Sequence, residues 1–93
     1  MLNFNAENIE DLEEEARERA LEVSVEVTTA VIKALEAGTD KVIIGILSSL
    51  DMDLSVDKAN YLEALETNLS RCAEAEEFEL CDAASKWIKK LRE

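Results

Sequence analysis

Histidine is absent from this chain, and with it go the commonest general base and the commonest transition-metal ligand. Proline is absent as well, and glycine occurs only at Gly38 and Gly45. The residues that usually punctuate strands are therefore scarce, and helix becomes the default reading. Cysteine is limited to Cys72 and Cys81, too few for the disulfide framework of a small secreted scaffold. The opening residues Met1-Leu2-Asn3-Phe4-Asn5-Ala6-Glu7 hold neither the basic nor the apolar region of a secretory signal. The longest apolar run, Val42 to Leu47, is far too short to span a bilayer. A soluble, cytoplasmic protein is the expectation. Cations are scarce too: 10 Lys and Arg stand against 22 Asp and Glu, a net charge of -12. A field of that sign repels nucleic acid and anionic membranes, so direct binding to either is not expected, and the partner it favours is a basic protein surface.

What the chain does contain is helical period. Ile9, Leu12, Ala16, Ala20, Val23, Val27, Ala30, Val31, Ala34 and Leu35 fall within about 140° of arc at ~100° per residue, the stripe of a core-facing helix. The pattern predicts one continuous helix over residues 8–36, capped by Asn5 or Asn8 and ended by Gly38. Leu21, Val25 and Ile32 project from its other flank, to be covered by the remaining helices or by a second subunit. Leu21, Val23, Val25 and Val27 also alternate as a strand would, and could then pair Val23–Thr28 with Val42–Ile46; the unbroken helical period outweighs that alternative.

Thr39 or Asp40 caps a second helix through Leu50, apolar nearly all round and hence buried. Residues 51–53 read as a loop. Ser55 reads as the cap of a third helix carrying Leu62, Leu65, Leu69 and Cys72, and the fourth carries Cys81, Ala84, Ile88 and Leu91 beyond a tight turn near Ala75–Glu77. The predicted fold is a single all-α domain over 1–93, four-helix bundle-like, with a long N-terminal helix, a buried short second helix and a C-terminal antiparallel helical hairpin over 56–93.

Three local patterns bear on function. Asp51, Asp53, Ser55 and Asp57 alternate like the first half of a calcium loop, but Val56 stands where glycine is needed and Leu62 where a closing glutamate belongs, so a solvated loop is the reading. Cys72 and Cys81 lie either side of the tight turn, facing across the hairpin, where a disulfide is conceivable if their Cα atoms approach within about 7 Å; two thiols acting as small hydrophobes are the preferred reading. Leu65, Leu69, Ala73, Phe78-Glu79, Cys81 at a small-residue position, Ile88 and the closing Leu91-Arg92-Glu93 form the third pattern. With them the C-terminal third resembles the UVR motif, the short helical hairpin by which nucleotide-excision-repair subunits and some protease-associated adaptors contact partner proteins. The chain departs from that family at Asp82, Ser85 and Lys86. The resemblance implies an adaptor or assembly role for the hairpin.

Glu10, Glu14, Glu18, Glu22 and Glu26 recur at every fourth position opposite the apolar stripe. Each like-charged neighbour pair costs roughly 0.2–0.5 kcal/mol. Nine acidic groups between Glu7 and Glu26 give a charge density of the same order as a nucleic-acid strand, which carries one phosphate per ~3.4 Å. By analogy of charge and size, the ladder predicts a small acidic inhibitor of the phage anti-restriction or anti-CRISPR kind, a nucleic-acid mimic that occupies a basic surface. The alternative is a UVR-like adaptor acting through apolar helix faces. Its contact residues would be Leu21, Val25, Ile32 and Trp87, and it would form a homo-oligomer of two or more copies. Lys86, Lys89, Lys90 and Arg92 make a basic end to the last helix that complements its dipole, and could also meet the acidic helix of a second copy. No Ser-His pair, Gly-rich phosphate loop or nucleophile-base constellation can be assembled, so the chain reads as a non-enzyme with no cofactor and no metal.

Overall fold

In the computed structural model, which describes residues 2–93, the chain runs β1 (Leu2–Phe4), α1 (Ile9–Glu18), α2 (Ala20–Ala37), β2 (Lys41–Leu47), β3 (Met52–Asp57), α3 (Tyr61–Glu74) and α4 (Phe78–Arg92). Short 3-10 turns at Ser48–Leu50 and Lys58–Asn60 flank β3. The strands form one mixed sheet in the order β1-β2-β3, with β1 parallel and β3 antiparallel to β2. The all-α, four-helix-bundle expectation is therefore corrected: four helices are present, but so is a three-stranded sheet, with β2 in place of the expected second helix, β3 in place of the loop and the start of the third helix, and β1 ahead of the N-terminal helices.

The long N-terminal helix is also two helices. Asn8 caps α1, its side chain accepting from the Asp11 N–H at 2.9 Å. Arg19 then leaves helical geometry, at φ -106° and ψ 29°, and α2 begins at Ala20. Gly38 ends α2 in the left-handed region at φ 72°. There the Thr39 N–H reaches back to the Ala34 carbonyl and the Gly38 N–H to Leu35, the paired closure that suits glycine.

The run Val42 to Leu47 is too short for its period to separate helix from strand, and four β-branched residues within it favour the pleated form. Its partner β3 alternates Asp53, Leu54, Ser55, Val56 and Asp57, so Leu54 and Val56 turn toward the helices while the polar residues face out. Ser55 is thus a strand residue, and α3 starts six positions later at Tyr61. Ile43 lies opposite Ser55 and Gly45 opposite Leu54, which leaves Ile44 as the extra residue of a bulge. Gly45 itself is required by β1. A Cβ there would sit 2.9 Å from the Leu2 carbonyl oxygen and 3.0 Å from the Leu2 Cβ, so any side chain would force the N-terminal strand off its neighbour.

Two apolar clusters result. The larger gathers Val27, Val31 and Ala34 of α2, Tyr61 and Leu65 of α3, and Ala84 of α4, closed below by Val42, Ile44 and Val56 of the sheet. Ser24 and Thr28 on α2 and Cys72 on α3 are buried between these helices, where their small size allows close approach. The buried Tyr61 hydroxyl donates to the Thr39 carbonyl at 3.0 Å. The smaller cluster holds Leu2, Phe4, Ala6 and Leu47, with Leu12 and Ala16 of α1 leaning on it. Among the described residues no helix is long and apolar enough to cross a membrane.

Candidate functional site

Besides the packing of Leu12 and Ala16 on the smaller cluster, the acidic N-terminal helix is tied to the molecule by one cation. Arg19, at the break between α1 and α2, grips Glu22 with two hydrogen bonds, Nε to Oε2 at 3.0 Å and Nη2 to Oε1 at 2.7 Å. Its Nη1 donates to Glu15 Oε2 at 3.0 Å and to the Asn3 carbonyl at 2.8 Å, while the guanidinium carbon lies 5.1 Å from the centroid of the Phe4 ring. Glu15 in turn accepts from the Asn5 N–H at 3.1 Å. One side chain thus ties β1, α1 and α2 together. The hydrogen bonds to Glu22 and then Glu15 push the Arg19 guanidinium well above its ordinary value, and the same bond holds the Glu22 carboxyl below the usual carboxylate range. The sequence reading missed this role, although Glu15 and Glu22 stand four before and three after Arg19, the helical neighbour spacing.

The break divides the glutamate ladder. Glu10, Glu14 and Glu18 are exposed on α1, Glu22 is held by Arg19, and Glu26 lies half-buried a turn further along α2. α1 buries no residue at all. Ile9, expected in the core stripe, is 65% exposed because α1 reaches the small cluster only through Leu12 and Ala16. Six acids less Arg17 leave five net charges on the ten residues of α1, or one per ~3 Å at ~1.5 Å per residue. That is the density of a phosphate strand, now confined to one helix.

The apolar flank is divided as well. Ile32 is only 7% exposed and belongs to the larger cluster, because α4 covers it, whereas Leu21 remains 42% exposed. Between α2 and α4 runs an open groove of about 360 Å³, lined by Val25, Thr29, Ile32, Leu80 and Ala83 together with the charged Lys33, Glu36, Glu77 and Glu79. It continues past Trp87, whose ring lies 4.9 Å from the Lys90 ammonium, and past Lys86, paired with Asp82 at 3.1 Å. Val25 and Ile32 therefore line one groove, Ile32 and Trp87 the adjoining one, and Leu21 lines neither.

Cys72 and Cys81 are both free thiols and point to different neighbours. Cys72 Sγ lies 3.4 Å from Thr28 Oγ1 and 3.6 Å from the Ser24 carbonyl, and burial pushes its thiol up; Cys81 Sγ turns to the Leu69 carbonyl at 3.9 Å. Asp53, Ser55 and Asp57, read as part of a loop, lie along an extended strand and do not converge. Among the described residues no three His, Cys, Asp or Glu side chains are grouped to hold a metal ion. No protein-family model, curated protein or solved structure matches the chain.

Proposed function

We propose that this chain is a non-enzymatic binding protein whose helix α1 occupies a basic, nucleic-acid-binding surface of another protein, in the manner of a small phage-type inhibitor of restriction or CRISPR nucleases. The observation that carries the reading is the one-sided build of α1: it buries no residue, yet holds five net negative charges in ten residues. A helix that contributes so little to the core has no folding reason to concentrate like charges at ~0.2–0.5 kcal/mol per neighbouring pair. A basic partner surface would convert that repulsion into attraction and would draw the protein in from a distance.

The test is capture of partners from a lysate at low salt, followed by elution with high salt. Glu10→Gln, Glu14→Gln and Glu18→Gln together should abolish capture without lowering the urea midpoint, which relief of the repulsion should raise slightly, since none of the three is bonded to Arg19. Capture that survives the triple variant, or that high salt does not reverse, sinks the proposal.

A second reading is favoured by the adjoining α2/α4 grooves, one lined by Val25 and Ile32 and the other by Ile32 and Trp87. In it the chain is a UVR-like adaptor that self-associates through apolar helix faces, and α1 only keeps the protein dissolved. Light scattering over a range of concentrations separates the two: on the adaptor reading the mass rises with concentration and Val25→Glu returns it to that of a monomer. A monomer at every concentration removes this alternative.

A further inference from the structure

The two edges of the sheet are finished differently. At the β1 edge the backbone is occupied by side chains: Arg19 donates to the Asn3 carbonyl, Glu15 accepts from the Asn5 N–H, and the Ser49 hydroxyl donates to the Ala6 carbonyl. At the other edge, β3 has β2 as its one strand neighbour, and among the described residues no side chain bonds to its outer backbone. Beside that open edge lies a groove of about 330 Å³ between β3 and α3, walled by Ser55 and Val56 on the strand and by Asn60, Glu63, Ala64 and Thr67 on the helix side. A free strand edge flanked by a helix is the arrangement that accepts an added strand, whose main chain completes the ladder while alternate side chains enter the groove.

The charges select what could lie there. Asp53, Ser55 and Asp57 share the outer face of β3, with Glu63 across the groove, and all four are exposed. Of the cations nearby, Lys41 stands opposite Asp57 on β2, away from the edge, and Lys58 reaches Asp40 at 3.8 Å. An incoming strand would set one row of side chains beside Asp53 and Asp57 and the other row beside Val56 and Ala64. The first row calls for cations and the second for apolar residues. A second copy of this chain does not meet that requirement. In antiparallel pairing of two β3 strands centred on Ser55, Asp53 would stand directly opposite Asp57 twice, where like charges repel, and in the equally overlapping register centred on Leu54 no cation would face either aspartate, because β3 holds no lysine or arginine.

We propose that the open edge of β3 binds an extended segment of a partner protein in which lysine or arginine alternates with apolar residues, adding it as a fourth strand over the six residues, ~20 Å, of the edge. This surface is separate from α1 and stands whether or not the acidic helix binds a partner.

The probe is a capped six-residue peptide alternating lysine and valine, titrated into the intact protein while backbone amide resonances are followed by NMR. Shifts should concentrate in residues 52–57 and 60–68, and a glutamate-valine peptide of the same length should leave them unmoved. Methylating alternate backbone amides of the probe gives two versions, one blocked on the edge that meets β3 and one blocked on the edge that meets water. One version should lose affinity by about tenfold or more and the other should bind like the parent. Asp53→Lys with Glu63→Gln should weaken the parent peptide while leaving the amide spectrum folded. Any of four results overturns the proposal: shifts confined to α1, two methylated versions that behave alike, no binding of the lysine-valine peptide, or movement of the β3 resonances with protein concentration alone, which would make the occupant a second copy.

Discussion

α1 and α2 arise from one uninterrupted apolar period, yet they are held in place by different forces. α2 buries Ser24, Val27, Thr28, Val31, Ile32 and Ala34, and α3, α4 and the sheet close around it. α1 buries no residue fully, leans on the smaller cluster through Leu12 and Ala16, and is fastened at its C-terminal end through the hydrogen bonds of Arg19 to Glu15, Glu22 and the Asn3 carbonyl. Apolar area removed from water contributes ~25 cal/mol per Å², whereas ion pairs open to solvent contribute little each, because water and salt screen them. The lesson is a gradient of stability along a single sequence pattern: a firm C-terminal helical layer and an N-terminal wing that opens more readily.

The strongest way to break the firm half is Leu65→Ala. Leu65 is fully buried at the centre of the larger cluster, and removing its side chain should cost ~2–5 kcal/mol, read as a lower urea midpoint and a single cooperative transition. Next comes Gly45→Ala, whose new methyl would collide with Leu2; it should cost ~1–3 kcal/mol, and amide exchange should quicken first in residues 2–4 and 9–18. Arg19→Gln should have a smaller effect on the global midpoint but a visible one on the wing, with faster exchange through α1 and unchanged protection in residues 24–34. Equal loss of protection in both helices would show that the two halves open as one unit and dissolve the comparison.

The smallest effect concerns pH. Burial raises the folded thiol of Cys72 above its ordinary value, so the neutral thiol's contribution is fully present below the unfolded pKa of ~8.5 and is lost as pH climbs toward the folded value. The urea midpoint should therefore decline on the alkaline side of ~8.5, and Cys72→Ala, though less stable throughout, should lack that component of the decline. Identical alkaline slopes in the two proteins would leave burial of this thiol without a role in the pH dependence.

The legible parts of this fold were those with long periods. Leu62, Leu65, Leu69 and Cys72 in α3, and Cys81, Ala84, Ile88 and Leu91 in α4, repeat in steps of three and four over eleven residues each, and the turn at residues 75–77 follows from them. The sheet was not legible because its strands are short: Val42 to Leu47 is apolar on both faces, so neither a two-residue nor a 3.6-residue rhythm emerges, and β1 has three residues. The discriminating signal was the alternation from Asp53 to Asp57 next to a β-branched run containing one glycine. The break at Arg19 has no marker of the usual kind, neither glycine nor proline, because it is made by tertiary bonds to Asn3 and Phe4 that no local pattern contains. Of the residues expected at a binding surface, Glu10, Glu14 and Glu18 remain together on an open face, while Glu22 serves Arg19 and Ile32 serves the core.

The bond from Tyr61 to the Thr39 carbonyl has an architectural consequence. It joins Thr39, two residues past the end of α2, to the first residue of α3, and the Lys58 N–H to Asp40 carbonyl bond, 2.7 Å, fastens the same two places again. The β2–β3 hairpin therefore leaves and re-enters the helical layer through one doubly pinned doorway. Residues inserted between Leu50 and Asp51, past the Ser49 hydroxyl that holds the Ala6 carbonyl, would lengthen the ribbon without pulling on α2 or α3, which makes that point the natural place to graft a loop or a label.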